Sequence, residues 1–471
     1  MQAVENWGLR ISIVLYAILH FITYFYENSF FVLLLAISGF GIFTFTVLKL
    51  HINHIKMPFG LLLAGMIILI FSGGSLVDGF LNGLVQMRNM VGLLIIVPMI
   101  SWVLQEENYI ESIMSFAHNL LDTSRKFYFG IVSFTQVIAY FLLFGSISMM
   151  YQFVNTVLKN EHGEPWENYK GTALLRGFSL SVMWVVSIPS FAYVVEVMGA
   201  SLGVSILQGL GISIAGIIVA LIFSHFEEKR YGVDLTAGLQ TEIDDVLSHT
   251  RNRKQMHRNV REFVVLFVSL FGSILILQAM INLELLVLIP LVVLIWMTAY
   301  YLIKRRPKRL TQEAYAYVTK DIEHQAYQLC VMLGAGILIY ALNQTGFAHV
   351  VVDGIYMIQE SIPFLNILYF LPFIIIILGF VGLGPLTVMV LVAGILESIH
   401  LPYPPELTVL AITSGSAISI MLSPLIMPLI MLSGANGLSA FKNGIRFNWK
   451  YALVIYVLVQ GYVQVRVWVG V

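Results

Sequence analysis

An all-α polytopic membrane protein is the fold class this sequence predicts, and three observations predict it. Apolar residues make up 58% of the chain and charged residues 11%, with a mean hydropathy of +0.86; a soluble domain carries roughly 25% charged residues. Eleven apolar runs approach the roughly 20 residues that a spanning helix needs. Two further runs, about 127–157 and 363–398, are broken in the middle by Gly145-Ser146 in one and by Gly379, Gly382, Gly384 and Pro385 in the other.

The spans are expected at 11–26, 30–48, 58–76, 88–104, 173–198, 204–224, 263–282, 285–303, 328–345, 408–433 and 451–470. Met1 to Arg10 runs straight into apolar residues with no small-residue cleavage site, which reads as an uncleaved first span. Each broken run reads as a re-entrant hairpin whose two arms enter and leave on one side. With that assignment and a cytoplasmic N-terminus, the loops at 1–10, 49–57, 105–126, 158–172, 225–262, 304–327 and 434–450 lie inside and hold 23 of the 26 Lys and Arg residues. That is the bias of a cytoplasmic-membrane protein, and it leaves the C-terminus outside. The polar linker 225–262 carries seven acidic and seven basic residues. It reads as a cytoplasmic loop with some helix, its Arg251–Arg261 cluster either near anionic headgroups or simply obeying the charge rule. Three amphipathic stripes are expected along the membrane surface: Ile110, Ile113, Met114, Ala117 and Leu121; Val351, Ile355, Ile358 and Ile362; and Tyr315, Val318, Ile322 and Ala326.

The chain is organised around Thr413 to Gly434, an uncharged stretch long enough to span yet holding Gly415, Ser416, Ser419, Ser423, Pro424 and Pro428 in its interior. Proline removes a backbone donor and clashes with the preceding turn, so a helix here breaks. Open backbone at membrane depth is tolerated only against protein or a water-lined cavity, and a broken helix points to a transporter's binding site. The first half repeats the pattern. Gly177-Phe-Ser-Leu-Ser-Val-Met183 matches Gly415-Ser-Ala-Ile-Ser-Ile-Met421, with Ser187 and Pro189 near the places of Ser423 and Pro424. Met90-Val-Gly92 matches Met332-Leu-Gly334, Glu111-Ser-Ile113 matches Asp353-Gly-Ile355, and Gly145-Ser-Ile-Ser148 falls opposite Gly384-Pro-Leu-Thr387. Offsets of 238 to 242 in one order imply a duplication. The domains are then a first repeat at 1–224, the linker, and a second repeat at 263–471. The charge count orients the two repeats oppositely.

Two inverted halves, each a re-entrant hairpin followed by a broken helix, resemble the ion transporter superfamily, which includes the sodium-coupled divalent anion symporters, the citrate, gluconate and arsenite permeases and the large membrane subunit of tripartite transporters. The resemblance is one of architecture over nearly the whole chain. The symporters place Ser-Asn-Thr at each hairpin tip, whereas the tips here, Gly145-Ser-Ile-Ser148 and Gly382-Leu-Gly-Pro-Leu-Thr387, lack the Asn. The resemblance implies a homodimer, with spans 263–282 and 285–303 and their first-half equivalents in the interface.

Half-helix N-termini at such breaks favour an anion, and carbonyls at unwound turns hold a cation. The candidate ligands are the hydroxyls of Ser146, Ser148, Thr387, Ser179, Ser181, Ser187, Ser416, Ser419 and Ser423, with Gly177, Gly384 and Gly415 letting backbone approach the ligand. The same small residues also serve helix packing in membranes. Arg176 would pair with an anionic substrate or snorkel to headgroups, and Glu196 would carry a proton or sit at the interface. The single cysteine, Cys330, excludes a disulfide and reads as a core residue. Zero net charge gives no field for nucleic acid, no Gly-x-x-x-x-Gly-Lys loop is present, and His51 with His54 lacks a third metal ligand. No enzyme, metal or cofactor is therefore expected beyond a coupling sodium ion or proton. The expected function is secondary active transport of a small carboxylate-like anion by alternating access. A receptor-dependent membrane subunit and a non-transporting scaffold or lipid-handling protein are the alternatives.

Overall fold

The computed structural model describes residues 2–50, 52–107, 109, 112–113, 123–158, 161, 163–232, 253–347, 349–351, 353–354, 357, 366–397, 399 and 401–470. Most of the linker and most of the first two surface stripes lie outside the described residues.

In chain order the helices begin with α1 Gln2–Phe25, α2 Ser29–Lys49, α3 Ile52–Phe71, α4 Leu76–Gln86, α5 Arg88–Ile96 and α6 Ile100–Gln105. There follow α7 Ser124–Leu142, α8 Gly145–Val157, α9 Glu164–Ser181, α10 Pro189–Val197, α11 Leu202–Tyr231, α12 Arg253–Met280 and α13 Leu285–Ile303. The last are α14 Pro307–Ala316, α15 Ala326–Gln344, α16 Ile367–Phe380, α17 Pro385–Leu396, α18 Pro405–Leu422, α19 Met427–Asn436 and α20 Phe447–Val469. Among the described residues there is no strand, and nine helical segments are long and apolar enough to cross a membrane. In α12 only 22% of the apolar window is buried, and Val264, Val265, Val268 and Ile276 are exposed on its outside. A helix apolar on its exposed side belongs in lipid. The chain has the build of an all-α, multi-pass membrane protein.

Nine of the expected spans coincide with these segments. The other two differ for local reasons: the apolar part of α3 is the shorter Ile55–Phe71, and the run 173–198 is split into α9 and α10. The third surface stripe is α14 followed by a π turn, Tyr317–Asp321, and a 3-10 turn, Ile322–Gln325. Tyr315 stays exposed, while Tyr317 is buried and donates its hydroxyl to the Ile95 carbonyl.

The described chain forms two compact units, and each draws on both halves of the chain. One unit comprises Met1–Ile100, Ile276–Asn366 and Val390–Leu401. In it α15 packs along α3 and α4, and α5 packs on α13. Glycines set the spacing: a Cβ on Gly83 would lie 2.6 Å from the Ile337 Cα, and one on Gly334 2.7 Å from the Pro58 carbonyl oxygen. Contact between backbones is the membrane substitute for a hydrophobic driving force. Glu323 pairs with Arg10 and Lys49, so the loops at 1–10, 49–57 and 304–327 meet at one end of this unit. Glu284 takes hydrogen bonds from the Asn89 amide and, at its backbone N–H, gives one to the Tyr24 hydroxyl, so 24–30, 86–89 and 282–285 meet at another.

The second unit comprises Ser101–Leu275, Ile367–Met389 and Pro402–Val471. Here α7 and α8 fold back on each other. The Ser124 carbonyl at the start of α7 accepts from the Tyr169 hydroxyl, and Asn155 near the end of α8 accepts from Lys170 at 2.8 Å, so both outer ends meet the first turns of α9. Those turns lie at the start of α20, where Lys442 pairs with Glu164 at 2.6 Å. The α16–α17 pair instead has its base at the Leu368 carbonyl, which accepts from Gln460 at 2.9 Å. Gln460 is thirteen residues beyond Phe447, or about 20 Å along the helix. The two helix pairs therefore open towards opposite ends of α20.

Candidate functional site

Two helices of the second unit are interrupted, and each resumes with a proline in its first turn. α9 unwinds after Ser181 through loose turns, Val182 N–H to Ser179 O and Met183 N–H to Leu180 O at 3.3 Å each, and the chain resumes as a helix at Pro189. α18 ends at Leu422, Ser423 is extended, and α19 begins at Met427-Pro428. The new N-termini, with Ile188 and Ile426 at the cap positions, have no side-chain cap. Uncapped amides at a helix start favour negative charge.

Each break is clasped in the same way. The Ser187 hydroxyl donates to the Tyr140 carbonyl at 2.5 Å, and the Ser423 hydroxyl donates to the Gly379 carbonyl at 2.8 Å. Tyr140 and Gly379 stand 239 residues apart, each three residues before the turn of its helix pair. Those turns start at Leu143, with φ of 49°, and at Gly382, with φ of 98°, again 239 apart. Ser187 thus satisfies a carbonyl that the helix end leaves without a partner, and Ser423 adds a second donor to the Gly379 carbonyl, which also accepts from the Gly382 N–H at 3.1 Å. On the other side a glycine receives the broken helix end. A Cβ on Gly209 would lie 1.8 Å from the Met183 carbonyl oxygen, and one on Gly444 would lie 2.9 Å from the Leu422 carbonyl oxygen. Ser187→Ala strands the buried Tyr140 carbonyl and should destabilise the purified protein by about 1–3 kcal/mol, whereas Ser423→Ala leaves the Gly379 carbonyl its bond from the Gly382 N–H and should cost less. Thermal unfolding of the two variants in detergent checks this, and unchanged melting would remove the clasp from the argument.

The candidate hydroxyls fall into two groups. Ser146 and Ser181 donate to the carbonyls of Leu143 and Phe178, both at 2.6 Å, and Ser187 and Ser423 hold the clasps. Ser179, Ser416 and Ser419, at most 1% exposed, have hydroxyls with no partner. Ser148 and Thr387, on the first turns of α8 and α17, make no hydrogen bond among the described residues. Ser419 lies against Gly379, the residue that takes Ser423, so the second break and its turn are contiguous.

Three sequence expectations are corrected. Gly177 does not open backbone to a ligand: a Cβ there would lie 2.7 Å from the Val132 carbonyl oxygen, so it is the contact between α9 and α7. Gly415 plays the same part between α18 and α16, 2.7 Å from the Pro372 Cα. Gly384, with nothing within 4 Å, is the one of the three left open. Arg176 neither snorkels nor waits for a substrate. It is fully buried, and its guanidinium donates to Glu227 and Tyr128 at 2.9 Å, to Asn448 at 3.0 Å and to the Phe447 carbonyl, with the Tyr451 ring 4.6 Å away. The cavity beside Glu227, lined by Asn168, Tyr169 and Ser224, has about 10 Å³ of space. That admits at most one water, not an anion.

Sequence reasoning missed other members. Lys170, 1% exposed, gives its ammonium to Asn155, Glu167 and the Glu161 carbonyl, which is why α9 starts nine residues before the expected span. The hydrogen bond from Lys442 holds the Glu164 carboxyl below the usual carboxylate range. Gln136 on α7 ties the break at Trp184 to Ser213 on α11; a glutamine in the middle of an apolar run was the available signal. Among the described residues no group of His, Cys, Asp and Glu is arranged to hold a metal. Cys330 is buried in the first unit.

No protein-family model matches the chain, and no curated protein matches it. The resemblance to the ion transporter superfamily therefore rests on the residues quoted for it.

Proposed function

We propose that the chain is a secondary active transporter that carries a small carboxylate-like anion across the cytoplasmic membrane by alternating access, driven by sodium or protons. The observation that carries this reading is the pair of clasped breaks. Each presents an uncapped half-helix N-terminus, and the helices that lead into the breaks carry three buried hydroxyls with no protein partner. Uncompensated buried polar groups are costly, and a ligand that supplies the missing hydrogen bonds offsets that cost. In this reading the α7–α8 and α16–α17 pairs are re-entrant hairpins, the spans number eleven, and the repeats are inverted, with the N-terminus inside and the C-terminus outside. The opposite openings of the two pairs along α20 support the inversion, and the loops that meet within each unit are those the charge count puts on one side. The homodimer remains what the resemblance implies.

The test is thermal stability of the purified protein with succinate, citrate and phosphate, each in sodium and in potassium at two pH values. A ligand that binds only the folded state raises the melting point with concentration, by the free energy RT ln(1 + [L]/Kd). A rise that requires sodium, or one of the two pH values, names the coupling ion. No rise with any anion would contradict the anion reading and favour a receptor-dependent subunit or a lipid-handling protein.

A further inference from the structure

Gln136 is 3% exposed, in the middle of α7. Its carbonyl oxygen accepts from the indole N–H of Trp184 at 2.8 Å and from the Ser213 hydroxyl at 2.7 Å. An indole nitrogen only donates, so the atom facing it must be the amide oxygen, and two donors occupy both lone pairs of that oxygen. The amide therefore cannot turn over. Its NH2 group is held in one direction, and no acceptor among the described residues takes either hydrogen. Gln136 as a whole is 3% exposed, but its amide nitrogen is not among the wholly buried polar atoms that lack a partner, so its hydrogens face the little space left open there and are available to an acceptor that enters it.

The elements that fix it belong to the first break. Trp184 lies in the unwound segment between α9 and α10, and Ser213 is one helical turn beyond Gly209, the residue that receives the Met183 carbonyl. The position 239 residues on is Ile375, so only one half of the chain carries this donor. We propose that the Gln136 amide donates hydrogen bonds to an oxygen of the transported anion at the first break, with Trp184 and Ser213 as positioning residues that orient it. This rests on the anion-transport reading. It adds to that reading a single directed donor, so the two ends of the bound anion are read differently.

The test uses the full chain in detergent and whichever of succinate, citrate and phosphate raises the wild-type melting point most. Gln136→Glu keeps an oxygen for Trp184 and Ser213 but replaces the donors with an acceptor; Gln136→Met removes both functions. Both should weaken the anion about tenfold to a hundredfold, the effect of losing a charge-assisted hydrogen bond. Trp184→Phe should weaken it as well, and Gln136→Met combined with Trp184→Phe should weaken it no further than Gln136→Met alone, since the indole acts through the amide. A merely structural pair would instead change the unliganded melting point and leave the affinities of the folded proteins equal. Equal affinity in wild type and in all variants overturns the role of Gln136 while the anion reading stands. A wild-type protein that none of the anions stabilises overturns both.

Discussion

Arg176→Met should destabilise the protein by about 1–3 kcal/mol, because it removes a fully buried guanidinium that donates to four groups, while Glu227, a fifth exposed, keeps some access to water. Glu227 would lose its counter-ion, and Tyr128, Asn448 and the Phe447 carbonyl would each lose a donor, in a place where the adjoining cavity has room for at most one water. Glu227→Gln should be costly in the same direction, since it leaves a fully buried guanidinium without a carboxylate. The double variant Arg176→Met/Glu227→Met should recover part of the loss, as buried pairs replaced by apolar groups of similar volume often do. Unfolding of the three variants in one detergent measures the coupling. Additive losses, with no recovery in the double variant, would mean that the pair does not act as a unit. The assignment matters for function because it withdraws the most conspicuous intramembrane cation from the substrate.

Gly209→Ala should have an effect of similar size by a different route. Its new Cβ would fall 1.8 Å from the Met183 carbonyl oxygen, a backbone atom that no rotamer change can move. Either α11 or the first break must shift, at about 1–3 kcal/mol or more. Gly211→Ala, two residues away with nothing within 4 Å, is the control and should be neutral or slightly stabilising, since alanine is favoured over glycine in a helix by about 1 kcal/mol. Gly444→Ala should repeat the effect at the second break, where two carbonyl oxygens, of Leu422 and Met421, stand 2.9 and 3.2 Å away. If Gly209→Ala and Gly211→Ala melted alike, the close approach that fixes the break would be excluded.

The parts of this protein that were legible in the sequence are those set by local chemistry. Prolines at 189, 424 and 428 announced the breaks, and the Gly-rich turns announced the folded-back pairs. The repeated Gly, Ser and Met pattern put Ser187 near the place of Ser423, and the two make matching hydrogen bonds. What was not legible depends on which helix lies opposite. Nothing near Ser181 says that its hydroxyl is absorbed by Phe178 while that of Ser179, two residues earlier, has no partner. Arg176 looked available because its carboxylate lies 51 residues away on another helix. Gly177 and Gly415 looked like openings for a ligand and are packing contacts, a distinction that only the facing backbone makes. His20 went unremarked, yet it is fully buried, both its ring nitrogens lack a partner, and it is pressed against Gly92.

The most direct measurement is anion uptake into proteoliposomes under an imposed sodium or proton gradient, comparing wild type with the triple variant Ser179→Ala/Ser416→Ala/Ser419→Ala. Removing three buried hydroxyls that have no partner should leave the melting point unchanged or raise it, because no protein hydrogen bond is lost. Uptake should nevertheless fall by about tenfold or more, as each lost hydrogen bond to an ion weakens binding. A stable triple variant that transports like wild type would contradict the placement of the anion at the paired breaks.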